Sequence, residues 1–198
     1  MALHDGYTDV PRGKIAAVVT CLEMVARPTP GAEPAEIPWR LRHVADPHPD
    51  WFRSLYRRVG ADWLWFSRLQ LADDALCGII RDPAVALYAL EYRASDEGLL
   101  ELDFRQAPEC ELSFFGVSAP LFGTGAGRWL MNRALELAWA RPIRRLWVHT
   151  CTLDHPRALA FYLRAGFRPF RRQIEIADDP RITGVLPRGA APAVPIVD

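Results

Sequence analysis

The residues best placed to do chemistry are five consecutive positions, Gly123-Thr124-Gly125-Ala126-Gly127, set between an apolar β-prone run and an amphipathic helical pattern. Glycine lets successive backbone N–H groups turn toward one anion, because no Cβ stands in the way. The start of the following helix adds the positive end of its dipole, which suits a pyrophosphate. Arg128 falls in the first turn, where it either touches that phosphate or is simply solvated. A dinucleotide site would want a third glycine at 128, an N-terminal strand before the loop and an acid on the next strand. Here Arg128 stands at that position, several strands precede the loop, and the next strand (RRLWVHT) has no acid. A nucleoside-triphosphate loop would need Lys followed by Ser or Thr, and neither follows. Both readings lose.

Other chemistry-bearing side chains are weaker signals. His149, Cys151, Asp154 and His155 lack a recognisable zinc-ligand spacing, although His149 and Cys151 share one strand face. A Cys–His nucleophile pair would need contact between side chains. Asp154 or His155 as N-cap of the last helix is the ordinary explanation. The four cysteines, Cys21, Cys77, Cys110 and Cys151, are scattered, form no CxxC and read as buried free thiols.

The elements that must position the glycine loop follow from periodicity. Ile15–Val25 reads as a strand, Arg27–Pro38 with its four prolines as an irregular loop, and Trp39–Val44 as a second strand. Asp50 opens a helix in which Trp51, Leu55 and Val59 recur; Gly60 interrupts it and Asp62–Leu69 continues in similar vein. Ala72–Ile80 is another short helix. Strands follow at Val85–Tyr92, Gly98–Phe104 (Glu101 and Asp103 on its polar face) and Glu111–Val117. The helix Arg128–Ala140, the strand Arg145–Thr152, the helix His155–Ala165 and a last strand Phe167–Ile176 complete the pattern. Residues after Asp179 should form a loose or draped extension. The crossover makes Glu111–Val117 and Arg145–Thr152 parallel neighbours in a mixed sheet with helices on both faces. The fold class is α/β, or α+β by a stricter label.

With 198 residues, half of them apolar, the chain suits one domain spanning 1–198, in which 1–36 are an N-terminal strand and proline-rich loop and 180–198 a C-terminal extension. Net charge is zero, Lys14 is the only lysine, and no basic run interleaves with aromatics, which argues against a nucleic-acid partner. The start through Pro11 carries Asp5 and Asp9 and lacks an export core, and Ile15–Val25 is too short to span a bilayer. A cytoplasmic protein with no membrane partner is expected.

The order and spacing from Glu111 to Phe167 resemble the GNAT acetyltransferase superfamily. Its fourth strand ends in Val-x-Pro-x-x-Arg/Gln-Gly-x-Gly-x-Gly/Ala, matched here by Val117, Ala119, Phe122, Gly123, Gly125 and Gly127. Its second signature, Asn-x-x-Ala-x-x-x-Tyr followed by Gly-Phe, reads His155, Ala158, Tyr162 and Gly166-Phe167. Phe122 in place of Arg or Gln removes one side-chain contact to pyrophosphate, and His155 in place of Asn alters the contact to pantetheine.

The resemblance implies a mixed, mostly antiparallel sheet splayed between the strand ending at Val117 and Arg145–Thr152, with acetyl-CoA as co-substrate and no metal. Backbone N–H groups of Phe115, Gly116 and Val117 would bond the pantetheine and polarise the thioester. Phe122, Gly123, Thr124, Gly125, Ala126, Gly127, Arg128, His155 and Ala158 complete the expected CoA contacts. Tyr162 matches the general acid toward sulfur; a plain core tyrosine is the alternative. Glu111 stands where some members carry the base, and Leu112, Phe114 and Phe115 would raise its pKa by desolvation; a solvated carboxylate is the alternative. Glu101 and Asp103 are rivals, as attraction for a cationic acceptor or as an exposed face. The aromatics Trp51, Phe52, Tyr56, Trp63, Trp65 and Phe66 fall where the family borders its acceptor pocket, and either fill the core or line that pocket. The acceptor is a small-molecule or peptide amine, and a homodimer is common among similar proteins. A non-catalytic acyl-CoA-binding module is the competing reading.

Overall fold

The computed structural model describes residues 4–33 and 35–198, so residues 1–3 of the acidic start and Pro34 of the proline-rich loop lie outside it. Its elements are β1 (Lys14–Met24), β2 (Trp39–His43), α1 (Pro49–Gly60), α2 (Asp73–Ile80), β3 (Val85–Tyr92), β4 (Ser95–Asp103), β5 (Glu109–Val117), α3 (Ala126–Trp139), β6 (Arg145–Cys151), α4 (Ala158–Arg164) and β7 (Arg168–Asp178). They form one seven-stranded sheet in the order β2-β3-β4-β5-β6-β1-β7. Every neighbouring pair is antiparallel except β5 and β6. The expected mixed sheet is therefore present, with the strands flanking the splay being the fifth and sixth of this chain.

Helices cover both faces. From α1 and α2, Phe52, Leu55, Leu76 and Ile80 pack on Leu87, Ala89 and Leu99. From α3 and α4, Trp129, Leu130, Ala134 and Tyr162 pack on Leu22, Leu100, Leu112, Leu146 and Val148 on the opposite face. The buried residues of α1 recur at 52, 55, 56 and 59, which is helical spacing. Its expected continuation over Asp62–Leu69 does not form. Only a tight turn, Ala61–Trp63, follows before Leu64 enters the left-handed region at φ 52°. The cause is Trp65, whose indole lies where a Cβ at Gly60 would stand, 2.4 Å from the ring atoms. That turn carries Trp63 and Trp65 toward the centre of the sheet.

In two further places the structure decides between alternatives: the exposed face is lost for Glu101 and Asp103, and the C-terminal extension is draped over the fold. Glu101 and Asp103 do not form an exposed face: they are 0% and 7% exposed, because the α1–α2 side of β4 is covered. The segment after Asp179 is not loose. Arg181, itself buried, donates to both Asp179 carboxylate oxygens at 2.9 and 2.7 Å and to the carbonyls of Ala190, Ala191 and Val194. One guanidinium thus organises a proline-rich segment that has no periodicity of its own. Leu186, Ala190 and Ala191 then pack with Ile15 and Leu64.

Arg181→Met should leave the Asp179 carboxylate buried without its counter-charge and cost about 3–5 kcal/mol in urea unfolding. The Arg181 hydrogen bonds hold the Asp179 carboxyl below its ordinary value. The pair therefore stabilises above the unfolded aspartate value near ~3.9 and loses that contribution as pH falls through the lower folded value. The variant's deficit should be full at neutral pH and shrink as pH falls below the unfolded value of ~3.9; an unchanged midpoint at pH 7 would show that the pair does not anchor the segment.

Candidate active site

Strands β5 and β6 pair over only three positions, Glu109↔Arg145, Cys110↔Leu146 and Glu111↔Trp147, and then part. The register of β5 on β4 shifts between Glu101 and Leu102, which leaves Ser113 as a bulged residue that bends the strand away. The wedge so opened continues into a cavity of about 850 Å³ that runs from Trp65 and Phe114 to the glycine loop. Along its β5 wall the amides alternate. Ser118 N–H bonds back to the Glu97 carbonyl at 2.8 Å, so Gly116 also points to β4 while Val117 and Phe115 turn N–H and C=O to the open edge. The expected trio of amides is thus two, and Gly116 serves by lacking a side chain. A Cβ there would come within 2.7 Å of Val59 and 3.3 Å of Trp65.

At the far end, the glycine loop enters α3. Gly123 (φ 77°) and Gly125 (φ 95°) hold backbone conformations that side chains resist. Among the described residues nothing accepts from the N–H groups of Gly125, Gly127 and Arg128, while Trp129 begins the helical bonding to Gly125 at 3.0 Å. These three amides form an anion-binding helix start. Thr124 and Ala126 hold the loop instead of lining the cavity: Thr124 Oγ1 donates to Leu121 O at 2.8 Å and accepts from Ala126 N–H at 3.3 Å. Phe122, His155 and Trp63 cluster beside the loop, with ring centroids 4.9–6.5 Å apart. His155 Nδ1 accepts from Arg157 N–H, and Ala158 lines the cavity next to it. The Arg128 side chain is exposed and reaches Ala32 O at 3.5 Å.

Tyr162 stands in the apolar wall, 7% exposed, with its ring against Phe115, Phe161 and Phe167. It is therefore both core and cavity lining, and its phenol has no hydrogen-bond partner among the described residues. Burial pushes its pKa up, so it is a neutral donor throughout the physiological range. The same desolvation lifts the thiol of Cys151, also on the cavity wall, to about 11. Desolvation thus works against a Cys151 thiolate.

On the α1 side of the wedge lies a polar chamber lined by Ser67, Arg68, Asp103, Glu111, Ser113 and His149, among others. Glu111 faces this chamber, 3.5 Å from His149 Nδ1, whereas Leu112 and Phe115 belong to the core on the other face. Of the three apolar neighbours expected around Glu111, only Phe114 shares the chamber with it, and its other surroundings are polar. Burial raises the Glu101 carboxyl above its ordinary value even though Arg68 Nη2 donates to it at 2.5 Å. Burial likewise opposes ionisation of Asp103, but the Arg105 guanidinium outweighs it and holds that carboxyl down. Contact with Glu111 raises His149, which lines both chamber and cavity.

Some positioning contacts carry no sequence signal. Asp154 does not cap α4; it accepts from Thr150 Oγ1 and Cys151 N–H with one oxygen and from Trp65 Nε1 (3.3 Å) with the other. It thereby ties the turn after α1 to the end of β6 across the wedge. The proline-rich loop straps over α3, where Asn132 holds both N–H and C=O of Gly31 at 3.0 and 2.8 Å. Thr29 and Gly31 thus border the cavity. Of the six aromatics, Phe52 is core, Trp51 bonds Asp96, and Tyr56, Trp63, Trp65 and Phe66 line the cavity.

A wedge between parallel neighbours that leads to a glycine-rich helix start defines an acyltransferase fold, and comparison with known proteins agrees. The Acetyltransferase (GNAT) family model matches residues 49–167, well over half of the chain. The chain belongs to that family. A GCN5-related N-acetyltransferase from Sphaerobacter thermophilus superposes with TM-score 0.62 at 14% identity, over 82% of this chain and 52% of that one. A GCN5-related N-acetyltransferase from Kribbella flavida gives 0.55 at 14% identity, over 87% and 63%. An aminoglycoside acetyltransferase from an uncultured soil metagenomic sample gives 0.54 at 15% identity, over 65% and 88%. The chain thus spans only 52–63% of the length of the first two of these structures. These likenesses establish the fold. No curated protein matches the sequence. No helix among the described residues is long and apolar enough to cross a membrane.

The Glu111–His149 contact has a direct check. Glu111→Gln should lower the His149 pKa toward the ordinary value of ~6.5 in an NMR titration of its imidazole. Because the folded value is raised, the contact stabilises below ~6.5 and its contribution fades as pH rises through the folded value. An unmoved His149 titration would show that the two side chains do not interact.

Proposed function

We propose that the chain transfers an acetyl group from acetyl-CoA to a primary amine by direct attack in a ternary complex. The observation that carries this reading is the continuity of the wedge. Free amides at Gly125, Gly127 and Arg128 lie at one end, outward amides of Phe115 and Val117 along one wall, and a neutral phenol at the other wall. These groups fit CoA: the cavity volume lies in the ligand-site range, and the glycine amides suit a diphosphate. The missing arginine at Phe122 removes one contact and leaves the amides in place.

When bound, acetyl-CoA supplies an activated thioester acyl group. The amides at 125, 127 and 128 hold its diphosphate. Phe115 or Val117 N–H donates to the carbonyl oxygen as negative charge develops there, a donor typically worth ~3 kcal/mol. Tyr162 donates to the departing sulfur. Its high pKa does not disqualify it, because the same apolar cluster raises a thiol as well, as at Cys110. On the chamber side, Glu111 and His149 take the proton that an ammonium acceptor must lose, directly or through water. The four cavity-lining aromatics favour an acceptor with an apolar or aromatic part beside its amine.

Tyr162→Phe should bind CoA with nearly unchanged affinity in calorimetry and lower kcat about 10²-fold or more. CoA release would be followed with a panel of amines. Tight CoA binding without turnover on any amine would favour a non-catalytic acyl-CoA-binding module, and failure to bind CoA would end both readings.

A further inference from the structure

The polar chamber beside the wedge holds hydrogen-bonding capacity that the chain itself does not use. Arg68 is the clearest case. Its side chain is only 14% exposed, yet of its guanidinium N–H groups one alone is engaged, Nη2 on Glu101 Oε1 at 2.5 Å. Nε is buried without a partner, and Nη1 makes no hydrogen bond among the described residues. Arg181, buried elsewhere in the chain, bonds through Nε, Nη1 and Nη2 alike. A purely structural arginine is saturated in that way, because an unmet buried donor is costly. The Arg68 guanidinium is also held in place, by Glu101 on one side and by the Phe114 ring, 5.1 Å away, on another. Ser113, the bulged residue of β5, adds a buried hydroxyl that has no partner either.

We infer that the chamber holds a carboxylate of the acceptor, which makes the acceptor a free amino acid; the inference rests on the acetyl transfer proposed above. The unmet capacity has a direction. Donors are in excess at Arg68 and Ser113, whereas both oxygens of Asp103 are already taken by Arg105. Glu111, met by His149 at 3.5 Å, is the carboxylate left to receive a cation. A ligand that answers both ends carries a carboxylate for Arg68 Nη1 and the Ser113 hydroxyl, which turns about one torsion to reach it, and an ammonium for Glu111. Each acid of the site already has its base, Glu101 with Arg68, Asp103 with Arg105 and Glu111 with His149. A zwitterion keeps that balance, while a polyamine or a dianion brings a charge that nothing answers.

The chamber, about 230 Å³, is smaller than a whole ligand site and has room for a head group. Ser67, Ser113, Phe114 and His149 border both it and the main cavity, so the head group sits where the two meet. The rest of the acceptor then extends among Tyr56, Trp63, Trp65 and Phe66, which suits an apolar or aromatic side chain. In the transfer, the amino nitrogen bonds the acetyl carbon as the carbon–sulfur bond breaks. Of the two protons the ammonium loses, one leaves through Glu111 and His149, and the other replaces the proton that Tyr162 gives to sulfur. The products are an N-acetyl amino acid and CoA.

The experiment uses matched sets built on phenylalanine, tryptophan and leucine: the free acid, its carboxamide, and the amine that lacks the carboxyl group. Each compound is titrated by calorimetry into the full chain with and without CoA, and CoA release from acetyl-CoA is followed with each. In at least one set the free acid should bind and turn over about tenfold or more better than both analogues. The double variant R68M/E101Q removes the ion pair without leaving a lone buried charge, and Ser113→Ala removes a hydroxyl that bonds nothing in the fold. Each should erode the preference by raising KM for the acid more than for the amine, with circular dichroism confirming that it folds; Ser113→Ala carries the test if the double variant does not. Turnover in which amines and carboxamides match the acids overturns the inference and leaves the activity standing. A preference for acids that survives both variants also overturns it, since the carboxylate would then be held elsewhere. Acid-selective binding without turnover overturns the activity and leaves the carboxylate site standing, whereas a chain that binds none of the compounds ends the assignment of the chamber.

Discussion

Strands β5 and β6 are hydrogen-bonded for three residue pairs and then separate, and the rest of the molecule is arranged around that parting. An interrupted ladder leaves backbone donors and acceptors facing a gap, which is costly unless water or a ligand meets them. Three features keep it open. The bulge at Ser113 bends β5; the rings of Phe115, Phe161 and Tyr162 fill the α3–α4 side of the wedge; and β6 is committed to β1 on its other edge. Asp154, just after β6, and Trp65, packed against Gly116 of β5, then bridge the opening. A cleft held apart in this way offers peptide groups to an extended ligand much as a missing strand would.

The two sides of the wedge differ in dielectric character, and this separates the chemistry. On the α3–α4 side, desolvation raises Tyr162 and lifts the thiol of Cys110 to about 12. Groups there keep their protons and act as donors. On the α1 side, Arg68, Arg105 and His149 face Glu101, Asp103 and Glu111; opposite neighbours favour the charged forms of Asp103 and His149, while burial still raises Glu101. That division suits the acyl transfer to an amine proposed above. Gly116 sits at the boundary, where only a missing side chain lets Val59 and Trp65 approach β5.

The loops carry as much of this arrangement as the strands. The proline-rich segment is anchored by a single side chain, Asn132, that satisfies both backbone groups of Gly31. The segment after β7 is anchored by Arg181 in a comparable manner. In both cases one polar side chain with several correctly placed bonds replaces the periodic backbone ladder that a strand or helix would provide.

Periodicity alone located the helices and strands to within a few residues, because burial on one face imposes a repeat of 3.6 or 2 that the chain itself displays. The glycine loop was legible for the same local reason: Gly123 and Gly125 occupy backbone conformations that other residues resist, so their identity reports their geometry. Other features depend on groups far apart in the chain. The helix expected over Asp62–Leu69 was lost to an indole lying on Gly60, and Glu101 and Asp103, for which an exposed face was one of two readings, are covered by α1 and α2. Glu111 was assigned an apolar setting from its sequence neighbours, yet Leu112 and Phe115 turn to the opposite face, and Glu111 keeps only Phe114 of the three and gains His149. Sequence neighbours determine backbone conformation, since steric conflict is local. Burial, charge pairing and the width of the wedge were decided by partners from β1, β4, β6 and the turn after α1, which only the folded sheet brings together.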